Sequence, residues 1–208
     1  SSRVLRELGA EENAFTSDDY TAYYQVLASD RLSVAFELEA DRLASLRLPP
    51  EEFKREIEVI KEERRLRTED NPSAKAYGRF QALAFPASGY HTPTIGWMAD
   101  LERMTVEELR AWYETWYVPN NATLVVVGDV VPSEVHALAQ RYFGSIAQRP
   151  VPQAQIPLEL STPGQRLLTL HLPTQLPSLM MGFNVPGLAT SKTPREVHAL
   201  RLIGALLD

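Results

Sequence analysis

The segment that most constrains this chain runs from Pro49 to Pro72. Pro49 and Pro50 suit the first turn of a helix, where an absent N–H leaves no hydrogen bond unmade. Asn71-Pro72 ends it, so a helix is predicted over about residues 51–67. Advancing ~100° per residue from Phe53 puts Ile57 and Ile60 within ~40° of it, and Val59 and Leu66 near ~240° and ~220°. Glu56 at ~300° and Glu63 at ~280° lie between these apolar edges, nearly two turns apart and stacked on one side. Lys54, Glu58, Lys61, Glu62, Arg65 and Glu69 fall between ~80° and ~180°, an ordinary solvated face. Two carboxylates among apolar positions need a partner, because burying an unpaired charge is costly. That partner is either a nearby arginine, Arg64 or Arg67, or a metal ion. Spacing alone leaves both open.

The other segments predict an α+β fold. A short helix over residues 1–8 ends at Gly9. Residues 13–17 and 20–27 are rich in aromatic and β-branched side chains around the turn residues Ser17, Asp18 and Asp19, which predicts an antiparallel pair of strands. Asp30 is expected to cap a helix reaching about Leu46, and Ser133 one reaching about Phe143. Further helices are predicted over residues 73–85, 105–117 and 196–208, with residues 86–94 as loop. The apolar run Ala122–Val127 predicts a strand buried on both faces, and residues 165–172 and 179–185 two more. Pro150, Pro152, Pro157 and Pro163 mark a linker. The expected division is residues 1–147, a linker over 148–163, and a second domain beginning at 164. Both ends read as lying inside longer helices, as in a piece of a larger protein.

Composition narrows the chemistry. There is no cysteine, which excludes disulfides, thiolate metal sites and a Cys nucleophile. The net charge of -6, with basic residues scattered, offers no footprint for nucleic acid. No apolar run approaches the ~20 residues of a membrane span. Four histidines, His91, His136, His171 and His198, form neither H-x-x-E-H nor H-E-x-x-H. No G-x-S-x-G elbow and no glycine-rich phosphate loop is present.

Several segments in order carry a family resemblance. Leu8-Gly9 followed by Asn13-Ala14-Phe15-Thr16-Ser17, with Tyr23 beyond, resembles a G…NAyTs strand. Residues 53–72 (FKREIEVIKEERRLRTEDNP) resemble a ligand-bearing helix, and residues 90–97 (YHTPTIGW) the loop that follows. Residues 117–130 (YVPNNATLVVVGDV) resemble a "Y.PnNa..vvvGdv" segment, and Tyr142-Phe143-Gly144 the end of a first domain. Together these are similar to the pitrilysin and mitochondrial-processing-peptidase family of zinc metallopeptidases. The resemblance implies an antiparallel sheet with helices packed on one face, then the start of a second, similarly folded domain without zinc. It implies that Glu63 is the third zinc ligand and that Glu56 orients a ligand histidine. It also implies that Asn13, Ala14, Phe15 and Thr16 form an edge strand to which extended substrate adds.

The H-x-x-E-H motif, which supplies two histidine ligands and the general base, is absent from these residues. Counting back from Glu63 by the family's spacing runs past Ser1. A catalytic zinc needs three protein ligands and an open position. This piece is therefore expected to be inactive and to hold zinc weakly, whereas the parent is expected to cleave peptides or unfolded polypeptides. The alternative is a non-catalytic peptide-binding or assembly subunit of the same family. Expected partners are substrate and either a second copy or a paired family subunit. The residues name no compartment; for a bacterial parent the resemblance points to the periplasm.

Overall fold

The structure is a computed structural model in which residues 2–153, 157–160 and 164–207 are described. The chain divides into two compact units, Ser1–Arg67 with Pro93–Gln155, and Thr68–Thr92 with Ile156–Asp208.

In the first unit, helix α1 (Ser2–Glu7) stops at Gly9, whose φ of 73° suits a residue without Cβ. Gly9 N–H donates to Arg6 O and Ala10 N–H to Leu5 O, both at 3.0 Å. This paired closure satisfies two carbonyls the helix would leave orphaned. The chain then enters β1 (Glu11–Thr16) and returns as β2 (Thr21–Val26). The strands are antiparallel, Glu11 opposite Val26 and Thr16 opposite Thr21. Ser17 N–H closes the turn on Tyr20 O at 2.9 Å. The predicted strand pair is present, and with the surrounding helices it makes the fold α+β.

Helix α2 (Leu32–Ser45) buries Ala35, Phe36 and Ala40. The Phe36 ring meets the Phe143 ring of α7 (Pro132–Phe143) edge-on, centroids 5.8 Å apart. The expected caps differ. A 3-10 turn, Ser29–Arg31, precedes α2, so Arg31 holds the cap position with no side-chain bond and Asp30 sits inside the turn. Helix α7 begins with Pro132 at its first position and Val131 at the cap, which leaves Ser133 two residues too late to cap. Helix α3 (Pro50–Arg64) continues into a wider π-type turn, Arg65–Glu69, and packs against α5 (Met98–Arg103), a short helix that periodicity did not reveal. Helix α6 (Val106–Trp116) starts at Thr105 with a reciprocal capping box to Glu108.

Residues 122–127 are not a strand, and Val125 and Val127 are exposed. Residues 165–172 and 179–185 likewise form no strand. The reason is common to all three: a strand exists by pairing, and among the described residues β1 and β2 pair only with each other. Apolar content marks a segment fit for a sheet but supplies no neighbour.

In the second unit, Asn71 Oδ1 caps α4 (Pro72–Ala84) by accepting from Ala74 N–H at 3.1 Å. Arg166 and Asn184 donate to Ala84 O at its far end, 3.3 and 3.2 Å. The Phe80 ring lies where a Cβ on Gly182 would sit, 2.5 Å from it, so glycine is required for that approach. Helix α8 (Pro194–Leu207) buries Val197. Of the expected linker, residues 154–156 and 161–163 lie outside the described residues. Among the described residues no helix is long and apolar enough to cross a membrane.

Candidate functional site

Helix α3 carries both candidate carboxylates. Its outer face is laced by pairs three residues apart, Glu51–Lys54 at 2.9 Å, Glu52–Arg55 at 2.5 Å, Glu58–Lys61 at 2.5 Å and Glu62–Arg65 at 3.0 Å. Lys54, Glu58, Glu62 and Arg65 are exposed as the solvated arc predicts, whereas the Lys61 side chain is only 15% exposed and the exposed Glu52–Arg55 pair lies outside that arc. The opposite arc differs from expectation: Val59 and Leu66 are exposed, and Glu56 is exposed beside them. Glu63 is 40% exposed and pairs with Arg67 at 2.8 Å. Among the described residues of the first unit, Glu56, Val59 and Leu66 stay exposed and Glu63 is only partly covered. Neither carboxylate carries the cost of a fully buried charge, and the Glu63–Arg67 pair is a surface pair worth little.

Arg64, one of the two expected partners, is instead buried. It donates to Gly96 O at 2.5 Å, with its guanidinium 5.7 Å from the centre of the Trp97 ring. Residues 96 and 97 are over thirty positions away, so helical periodicity gave no sign of this contact. Burial of Arg64 fixes the rotation of α3 and so directs Glu63 outward.

The candidate edge strand has a determinable phase. Ser17 and Tyr20 form a hydrogen-bonded closing pair, and bonded and non-bonded pairs alternate in an antiparallel ladder. Asn13 and Phe15 therefore bond inward to β2, while Glu12, Ala14 and Thr16 turn their N–H and C=O groups to the open edge. Two contacts agree with this phase. Ala14 N–H donates to Asn13 Oδ1 at 2.8 Å rather than into the ladder. The Thr16 and Thr21 hydroxyls meet at 3.4 Å, as close side chains of a non-bonded pair do. Asn13, Ala14, Phe15 and Thr16 are all exposed.

The underside of the hairpin holds residues that sequence reasoning missed. Arg42 of α2 bridges Glu12 and Glu39, and the Tyr23 hydroxyl meets the Tyr117 hydroxyl at 3.1 Å. Partial burial, reinforced by the bond with Tyr117, pushes the Tyr23 hydroxyl well above its ordinary value, so it stays neutral. The spacing of aromatics along β2 marked a strand, but the partners on α2 and beyond α6 are unreadable without the fold.

Family models match nearly the whole chain. "Insulinase (Peptidase family M16)" matches residues 2–86, and "Peptidase M16 inactive domain" matches residues 103–208, just over half the chain.

The chain belongs to the M16 peptidase family.

The zinc protease PqqE of Helicobacter pylori is 32% identical over 190 residues, covering 88% of this M16 chain and 42% of PqqE. A Mycobacterium leprae protein described as an uncharacterized zinc protease is 30% identical over 143 residues, 69% of this chain and 32% of its own length. A crystal structure of a Helicobacter pylori protease superposes with a TM-score of 0.69 at 33% identity, over 76% of this chain and 38% of that one. The chain thus spans less than half the length of these relatives. Their names associate zinc with the family.

The described residues fit such a metal in part. Glu63 is a half-exposed carboxylate available to a cation once Arg67 moves aside. Among the described residues no three of His, Cys, Asp or Glu group closely enough to hold a metal ion. His136, His171 and His198 are exposed, and His91 Nδ1 lies 2.6 Å from Ser88 O. These residues could contribute a ligand, but they do not build a centre.

Proposed function

We propose that this M16 chain is part of a zinc metalloendopeptidase that hydrolyses peptides or extended polypeptides. Glu63 would be one zinc ligand, and Glu56, one face-repeat earlier on α3, would orient a histidine ligand. Zinc, when bound, supplies Lewis acidity and an activated water. The chain's own part is to present that carboxylate and to bind substrate along Ala14 and Thr16, whose main-chain groups face the open edge of β1 rather than β2. Asn13 and Phe15 flank those groups and would meet the substrate's side chains. The observation that carries the reading is the outward, half-exposed Glu63 on the helix matched by the insulinase model. Alone, these 208 residues would not cleave peptides, because one carboxylate neither holds a catalytic zinc nor replaces a general base. The division into residues 1–147, a linker and a second domain from 164 belongs to the same proposal.

The second reading is a non-catalytic peptide-binding or assembly subunit. It is favoured by the match of residues 103–208 to a domain described as inactive. Zinc content and cleavage of an unfolded polypeptide, measured on the full-length protein beside Glu63→Gln, separate the two. One zinc per chain with cleavage, both lost in the variant, supports the peptidase and the role of Glu63. A full-length protein with neither zinc nor cleavage would overturn it in favour of the binding subunit.

A further inference from the structure

Beneath the hairpin lies a charged and aromatic network that neither the candidate metal ligand nor the edge residues explain. Register partners share a face, so Glu12 and Gln25 point the same way, as do Ala14 and Tyr23. Glu12, Gln25 and Tyr23 all meet α2 or α6-linked residues, so this face is the one turned to the helices. Arg42 Nη2 donates to Glu12 at 3.0 Å and to Glu39 at 2.6 Å. Gln25 Nε2 donates to the same Glu39 carboxylate. The Arg42 guanidinium sits 4.4 Å over the Tyr23 ring. Tyr117 takes up the Tyr23 hydroxyl and packs on Tyr113, centroids 5.2 Å apart. Tyr113 in turn donates to the Arg42 and Leu43 carbonyls at 2.7 and 2.9 Å. The network runs from β1 through Arg42 to β2, and back through Tyr117 and Tyr113 to α2.

Two features separate this from an ordinary ion pair. Arg42, Glu12 and Glu39 are only 20%, 19% and 22% exposed, and two carboxylates share one guanidinium nitrogen. Without Arg42 the two would repel at close range where water screens poorly. Moreover, Glu12 is in phase with Ala14. Its side chain is tied down to α2 while its own N–H and C=O face the open edge. Tilting Glu12 therefore tilts the donors and acceptors that an added strand would use.

We infer that Arg42 is a positioning residue for substrate: through Glu12 and Tyr23 it sets the pose of the β1 edge, with the Tyr23–Tyr117 hydroxyl pair as second anchor. This rests on the strand-addition reading above. Interactions made along an added strand are largely uniform between ground and transition states, so their loss raises KM and spares kcat. Lysine keeps the charge of arginine but not its planar fork, so it bridges two carboxylates less well.

The test uses the full-length protein with fluorescently labelled β-casein as an extended polypeptide. Arg42→Met is expected to raise KM about ten-fold, the scale of one misaligned charged hydrogen bond, with kcat nearly unchanged. Arg42→Lys is expected to recover part of that rise. Tyr117→Phe, which removes one hydroxyl and little volume, keeps the test open should Arg42→Met not fold, and is expected to raise KM by a smaller factor. An unchanged KM in the variants that fold overturns the inference, even where melting temperature falls. Amide exchange at residues 12–16 of the wild type, followed with β-casein added after metal chelation, separates the two levels. No slowing there means the strand-addition reading itself fails, and the inference with it. Slowing in the wild type with KM indifferent to Arg42 defeats the inference alone.

Discussion

Single residues decide where this chain's helices begin and how they respond to acid. Glu108 accepts from Thr105 N–H at 2.8 Å and from Thr105 Oγ1 at 2.9 Å. The backbone donor above all holds its carboxyl below the ordinary 4.5. A carboxyl lowered on folding adds stability that is present above about pH 4.5 and is lost as pH falls through the folded value. Glu108→Gln should therefore lower stability above about pH 4.5 and leave it little changed in stronger acid, so the acid-induced loss becomes shallower in urea melts across pH. Thr105→Ala should cost about 1 kcal/mol at neutral pH in the same assay. The sequence placed this helix start at residue 105, and the structure adds that Thr105 caps it. Asp30 and Ser133 looked equally good and do not cap, because a 3-10 turn and a first-turn proline displaced the helix starts by a residue or two. At the edge strand, Asn13→Ala should speed exchange of the Ala14 amide measured by NMR, since its acceptor is a side chain rather than β2. An unchanged rate would show that the ladder phase is reversed.

Elements hold together by faces that match across long sequence separations. Phe36 and Phe143 lie over a hundred residues apart and meet between α2 and α7. Truncating Phe36 to Ala should destabilise the first unit by about 3–5 kcal/mol, seen as a lower denaturant midpoint, because a buried ring leaves a cavity as well as lost transfer energy. Helix α3 shows the limit of periodicity. Lys54, Glu58, Glu62 and Arg65 are exposed as their angular positions require, but Lys61, read onto the same face, is largely covered. Periodicity assigned the Val59–Leu66 side to a core, yet that side is open. An apolar stripe states what a helix can bury, and packing states what it does bury. Residues 122–127 teach the same lesson for strands, where the missing quantity is the pairing partner.

For the whole molecule, the metal proposal predicts linked behaviour. Chelating zinc from the full-length protein should abolish cleavage and lower its melting temperature, since a ligand bound to the folded state alone stabilises it by mass action. Glu56→Gln should weaken zinc by about 10–100-fold without removing it, the usual effect of a residue that orients a ligand. Equilibrium dialysis would read both. The family was legible from short segments in their order, because turns and the edge strand are local devices written by neighbouring residues: Gly9 at its positive φ, Asn71-Pro72 between two helices, Ser17 at the hairpin turn. By itself the sequence determined the helices other than α5, the hairpin and the side of α3 on which Glu56 and Glu63 stand. The tertiary structure alone decided that Arg64 turns inward to Gly96, that Glu63 meets Arg67 in the open, and that Arg42 gathers Glu12, Glu39 and Tyr23 beneath the edge. Those outcomes depend on groups that approach only once the chain has folded back on itself, and no local pattern records which distant partner will arrive.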